Sequence, residues 1–523
     1  MVKPTSQHAD SYTMAGLLQQ IGASLNVYDV LRLLGLVIVL SIVYTLLLAI
    51  YNLYFHPLRH IPGPPLWIAF PVTRVIGMVR GTAEFQVRDA HDKYGDAVRV
   101  APNQISFINA QAWKDIYGHG HAEFPKYYPS GINMDPKKII SANAQDHFRY
   151  RRAMLPAFSD KALGQQEPLI RVYVDLLVQR LREVAQTGNA TNMVQWYNFT
   201  TFDLIADLAF GTPLQGLAEG KSNAWIDNIS KLMKYMPVMV LIAVSPILGL
   251  LFKFAAGSQV RNSQANHHAH VAKMVNDRIY HRKQADRGDF MDYIMRSRGQ
   301  DHQLTDAELI TNSDLLMVAG SETTATLLSG ATFWMLKNPN ALKKATEEVR
   351  RAFETEDAIT FKEVSARLPY MMACLDEALR LFPPVPLRLA RSVPGKLPVR
   401  IAGHQIPVNT IVGVHHLSAY HSERNFYRAR EFIPERWLPE SVTDPTSPFY
   451  KDRRDVHRPF SFGPRDCIGR NLAYHEMRLI MARMLWNFDL TLDEKCSNWN
   501  EQKIYGLWEK PPLEVYIRDR KSE

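Results

Sequence analysis

The sequence predicts a mostly α-helical body with small β-sheets, preceded by one transmembrane helix. Three observations predict it. Helical patterns dominate from about residue 161 to 381, with 168–183, 306–336 and 340–353 the clearest stretches. Strand-rich patches are short: 399–414, 503–517, and a hairpin pattern at 97–100 and 104–108 that turns over Ala101-Pro102-Asn103. Residues 33–55 contain no charge at all.

The anchor comes first along the chain. Its 23 residues would rise about 34 Å as a helix, enough for a hydrocarbon core of about 30 Å. Tyr51, Tyr54 and Phe55 fall at the far end, as interfacial aromatics do. A secretory signal would have a shorter apolar core and a small-residue cleavage site, and a buried core helix is the remaining alternative. Arg59, Arg74, Arg80 and Arg88 follow the run against Lys3 and Arg32 before it. That bias places residues 1–32 on the far side of the membrane and the body on the cytoplasmic side of a single-pass anchor. Residues 56–66, with four prolines, predict a stiff extended connector, and 67–523 the catalytic body. A second apolar stretch, 236–254, is broken by Pro237 and Pro246 and reads as a second span, an interfacial segment or a buried helix pair.

Composition narrows the function classes. The 523 residues are 46% apolar and 22% charged, which excludes a disordered chain, a collagen-like fibre or a polytopic transporter. A net charge of +9, spread without long basic runs, fits a membrane surface or an acidic protein partner and no nucleic acid. Cys374, Cys467 and Cys496 are too few and too scattered for a disulfide framework. Two lookalikes fail. Gly220-Lys221-Ser222 lacks the earlier glycine of a phosphate loop, and the histidines at 267, 268 and 270 read as a solvated loop.

Three segments carry chemistry. In FSFGPRDCIGRN (460–471), Cys467 stands between Gly463 and Gly469, just before a helical pattern. The glycines let backbone approach a flat ligand, while Arg465 and the helix N-terminus favour a thiolate. Such a thiolate is a nucleophile or an iron ligand; a structural cysteine in a turn is the alternative. In AGSETT (319–324), Gly320 opens room on a helix face where Glu322 and Thr323 offer a carboxylate and a hydroxyl for proton relay, unless the threonine merely back-bonds. In EALR, Glu377 and Arg380 share a helix face, and Arg436 in PERW could complete a network with them.

Taken in chain order (AGSETT, EALR, PERW, then FSFGPRDCIG), the segments closely resemble the cytochrome P450 superfamily from about Pro62 to the C-terminus. Phe460, Gly463, Arg465, Cys467 and Gly469 meet every fixed position of its haem-loop pattern. The resemblance implies the P450 fold, with haem b held by the Cys467 thiolate on iron. It implies propionate contacts from Arg465, from Arg151 and His147 (which stands where the family usually has Trp), and from Arg391, with Arg388 competing. Glu322 and Thr323 match the oxygen-activation pair, and Glu377, Arg380 and Arg436 a structural triad. The implied activity is a membrane-anchored monooxygenase of the microsomal type, resembling fungal secondary-metabolism members. It would oxidise a lipophilic small molecule of terpenoid, polyketide or alkaloid type. Electrons would come from NADPH–cytochrome P450 reductase, with cytochrome b5 as an optional second donor. A haem-thiolate isomerase or dehydratase needing no reductase is the alternative, then a membrane-bound binding protein. Pocket walls are expected from 118–143, 236–254, 314–324, 385–389 and 504–507.

Overall fold

The computed structural model describes residues 26–520 except 130–131, 133, 223–234, 236–237, 243–256 and 282–286. The apolar run lies on helix α1 (Val27–Ile50), which continues as a π-helical turn over Tyr51–Phe55. It begins six residues before the uncharged run, because the Asn26 side chain accepts from the Asp29 backbone N–H and Asp29 pairs with Arg32. Ala49 is its one buried residue, so the helix meets almost nothing of the body and is long and apolar enough to cross a membrane.

The connector is not the extended rod the prolines predict. It folds through turns over residues 57–60, buries Leu58 and Ile61 completely, and re-enters a short helix at Pro65–Ala69. Arg99 explains the fold-back. Its backbone N–H donates to Pro62 O, and its buried guanidinium donates to Pro102 O and, at 2.8 Å, to Asn52 O in the π turn. A helix end that would otherwise carry bare carbonyls is thereby satisfied by a side chain of the body.

Strands β1 (Ala97–Ala101) and β2 (Gln104–Phe107) form the expected antiparallel hairpin. After it come helices α2 (Ala110–Tyr117) and α3 (Ala144–Met154), strand β3 (Thr191–Asn192) and helix α4 (Met193–Phe210). Helices α5 (Asp306–Lys337), α6 (Pro339–Ala352) and α7 (Pro369–Leu381) follow. The chain closes with β4 (Arg391–Ser392), β5 (Val399–Ile401), β6 (His404–Ile406), β7 (Ile411–Val414), α8 (Arg470–Asn487), β8 (Phe488–Leu492) and β9 (Glu514–Asp519). Three sheets result among the described residues, ordered β1-β2-β7-β4, β3-β9-β8 and β5-β6, with only β2 and β7 parallel.

Helix α5 starts on a capping box, Thr305 with Glu308, and is then buried on nearly every side, as an all-round apolar helix must be. It packs along α4 and against α7 and α8, around the larger of the hydrophobic cores. A second core lies between the β1–β2 sheet and α2. Of the stretch 236–254, only 238–242 are described, and they are helical; the choice among its three readings lies outside the described residues. The histidine cluster is not a loop. It sits in the helix Gly257–Asn276, where His267 Nε2 lies 2.8 Å from Asp314 Oδ1 on α5.

Candidate active site

Cys467 occupies a turn whose shape is fixed by its neighbours. Its backbone N–H donates to Phe460 O at 2.9 Å, and the Phe460 ring packs against Tyr474 one helical turn into α8. Gly463 has φ +80°, and a Cβ there would stand 1.7 Å from the Tyr117 carbonyl oxygen, so only glycine fits. Backbone packing on α2 is by itself enough to require the glycine. At Gly469, the N-cap of α8, an added Cβ would meet only Phe158 at 3.9 Å, which leaves open space above the turn.

Cys467 is exposed although protein surrounds most of it. It therefore faces a recess rather than the outer surface. Burial raises its pKa, and the Gly469 N–H, Arg151 and Arg470 oppose this only in part. The sequence reading gave that role to Arg465, but its guanidinium turns away, to Ala142 O at 2.9 Å and Glu123 Oε1 at 2.5 Å.

Arg465 instead joins a basic cluster. Buried Arg391 on β4 donates to Phe124 O, pairs with Glu123 at 4.0 Å and lies over the Tyr117 ring. Lys126 bridges to Arg391 through the backbone and extends its ammonium to Ile140 O. Burial, then Arg391 and Arg465, push its pKa down to about 7. His147, buried on α3, is driven to about 3 by burial, with Arg465, Lys126, Arg151 and Arg391 adding repulsion. It is a neutral hydrogen-bonding group at ordinary pH. Arg151, one turn further along α3, pairs with Asp466 beside the cysteine at 2.5 Å. The cations Arg391, Lys126, Arg465 and Arg151 thus surround His147 with Glu123 and Asp466 as the carboxylates paired to them. Arg388, three residues before Arg391, is elsewhere: it is tied to Gln104 and to Ile105 O in the β1–β2 sheet. Sequence reading missed Lys126, Glu123 and Asp466. A Lys or a carboxylate in an irregular loop carries no spacing signal.

On α5 the structure separates the members of the AGSETT segment. Gly320 does not open a ligand space: a Cβ there would sit 2.8 Å from Ile205 Cδ1, so the residue is small to let α4 approach. Ala319 is exposed, and Thr323 one turn on is half-buried between buried Glu322 and Thr324, which marks their shared face as lining a recess. The Thr323 hydroxyl donates to Ala319 O at 2.6 Å. Glu322 points elsewhere, with its Oε1 2.6 Å from Lys510 Nζ and both side chains almost fully buried.

The triad is assembled as one buried unit. The Glu377 carboxylate accepts from Arg380 (2.7 and 2.9 Å), Arg436 (3.1 Å), the Trp437 indole (2.8 Å) and the Ile433 backbone N–H. Burial would raise its pKa, but Arg380 and Arg436 hold it below the usual carboxylate value. Asp452 completes the network on Arg436 at 2.5 Å.

These donors fit a haem: a soft thiol in a recess, and a cluster of cations for its two acid groups. The comparisons agree. The cytochrome P450 family profile matches residues 61–516. The chain is 47% identical to the trichothecene C-4 hydroxylase of Trichoderma arundinaceum, covering 92% of this chain and 98% of that one. It is 46% identical to the cytochrome P450 monooxygenase dtxS2 of Metarhizium robertsii, with 95% of each covered. It is 45% identical to the cytochrome P450 monooxygenase olcB of Penicillium canescens, over 94% of this chain and all of that one. With its fold, its cysteine turn and these relatives in agreement, the chain belongs to the cytochrome P450 family, whose members are haem-thiolate monooxygenases.

Proposed function

We propose that this chain is a membrane-anchored monooxygenase that inserts oxygen into a lipophilic secondary metabolite, using haem b held by Cys467. The observation that carries the reading is the exposed Cys467 in a glycine-flanked turn, with Arg151, Arg391, Arg465, Lys126 and His147 gathered nearby. Bound haem supplies the activation of dioxygen. The protein's own residues do the rest. Arg391, Arg465 and Lys126 would hold the propionates, Arg151 steadies the Asp466 side of the turn, and neutral His147 would donate a hydrogen bond. Thr323 presents its hydroxyl on the α5 face that lines the recess, and Glu322, the preceding residue on the adjacent face of the helix, supplies the proton that hydroxyl passes on. The Glu322–Thr323 pair, retained in full, supports oxygen insertion over the isomerase or dehydratase alternative.

Helix α1 supports a single-pass anchor at the endoplasmic reticulum with the body, 67–523, in the cytosol and 1–32 in the lumen. The +9 charge supports docking of an acidic NADPH–cytochrome P450 reductase, with cytochrome b5 as an optional second donor. The three fungal relatives support a secondary-metabolite substrate of terpenoid, polyketide or alkaloid type. The test is the full chain in phospholipid vesicles with that reductase, NADPH and ¹⁸O₂, offered a panel of such scaffolds. Products carrying one ¹⁸O atom and requiring NADPH are expected. A rearranged or dehydrated product formed without NADPH and without label would establish the alternative instead.

A further inference from the structure

Lys510 comes from a loop far beyond α5 in the chain, yet its ammonium nitrogen lies 2.6 Å from Glu322 Oε1. Both side chains are less than one-tenth exposed, and the ammonium finds no hydrogen-bond acceptor of good geometry to complete its shell. The loop is built to hold it there. Lys510 has φ +51°, a left-handed conformation that a side chain resists, and Pro511 follows it. Its backbone N–H donates to Gln502 Oε1 at 2.8 Å, the Trp499 indole holds Pro511 O at 2.7 Å, and the Trp508 indole holds Pro383 O at 2.7 Å. Observed strain of this kind persists only where the surroundings over-determine it, and here it serves to aim one ammonium.

Helix geometry explains why the target is Glu322. One residue before Thr323, it is turned about 100° round α5 from the recess face, toward the C-terminal loop. Resting on the proposed role of the Glu322–Thr323 pair, we infer that Lys510 is the positioning residue for proton delivery. In the observed ion pair Glu322 is a carboxylate, so it first takes up a proton from water; when it passes that proton toward the Thr323 hydroxyl, the new O–H bond breaks and the carboxylate returns in a poorly solvated place. The Lys510 ammonium stabilises that anion by direct attraction until a proton from water restores the acid, and itself changes no bond. Lys510 also fixes which rotamer the carboxyl adopts, holding it toward the C-terminal loop rather than letting it swing freely.

The test uses the haem-loaded full chain as Lys510→Met, Lys510→Arg, Glu322→Gln and the Lys510→Met/Glu322→Gln double variant. Unfolding midpoints come first, since they need no turnover. Lys510→Met is expected to lower the midpoint in the parent and to lower it much less when Glu322 is already Gln. Reductase-driven NADPH oxidation and peroxide release, in H₂O and D₂O without added substrate, come second. Lys510→Met should slow NADPH oxidation by about tenfold with a larger solvent isotope effect, and Lys510→Arg should restore both. Equal destabilisation in the two backgrounds would overturn the pairing. Coupled unfolding with unchanged turnover in Lys510→Met, while Glu322→Gln is slow, would overturn the proton role of Lys510. If Glu322→Gln itself turns over normally, the proton role of Glu322 falls while the ion pair stands.

Discussion

Replacing Arg380 with methionine is expected to cost about 3–5 kcal/mol of folding stability, the usual loss when one partner leaves a buried ion pair. Arg380 and Glu377 are both fully buried, so neither has water to fall back on. Methionine would leave the Glu377 carboxylate with Arg436, Trp437 and the Ile433 N–H, and would strip donors from the carbonyls of Tyr420, Ala429 and Glu431. Each orphaned carbonyl adds its own penalty. The damage reaches beyond α7, because Arg436 and Asp452 belong to the same network and lie on the chain leading into the cysteine turn. A half-exposed pair such as Arg428–Glu431 offers the control: its loss should leave the urea midpoint unmoved. Equal midpoints for Arg380→Met and Arg428→Met would contradict this account.

Glu476 should make the fold less stable as pH rises. On α8, nine residues after Cys467, its side chain is fully buried and neither oxygen meets a hydrogen-bond partner of good geometry. Burial raises its pKa from 4.5 to about 8, and the Thr324 hydroxyl offsets this only in part. Between those values the folded chain keeps a proton that the unfolded chain releases. The stabilisation from this group is therefore complete below pH 4.5 and is lost as pH climbs through 8. The swing is on the order of 5 kcal/mol. Glu476→Gln, neutral at every pH, should abolish that slope and leave the protein the more stable of the two in alkaline solution. Urea midpoints at about pH 5 and about pH 8.5 measure it; parallel profiles for the two proteins would contradict the assignment.

Much of this was legible because the signals are local. A 23-residue uncharged run, alternation across Pro102-Asn103, and a fixed Phe-Gly-Arg-Cys-Gly spacing are each complete within one window of sequence. What escaped notice is assembled from afar. Lys126 and Glu123 reach Arg391 and Arg465 across the fold, and Lys510 reaches Glu322. No periodicity announces such partners, since a charged residue in a loop is usually solvated. The connector misled for a related reason. Its prolines predict an extended chain, but Leu58 and Ile61 have a core to enter and Arg99 holds the turns in place. Gly320 illustrates the same point in reverse: a glycine in a helix invites a ligand reading, and the actual neighbour is Ile205 of α4. Arg388 and Arg391 are equivalent by spacing, and only the sheet separates them.

The central claim is that Cys467 binds haem iron as a thiolate. Its most direct test is the carbon-monoxide difference spectrum of the dithionite-reduced full chain, beside Cys467→Ser prepared in the same way. A strongly red-shifted Soret band in the parent, absent from the serine protein, is the predicted result. A parent lacking that band while folded, or a serine variant retaining it, would contradict the assignment.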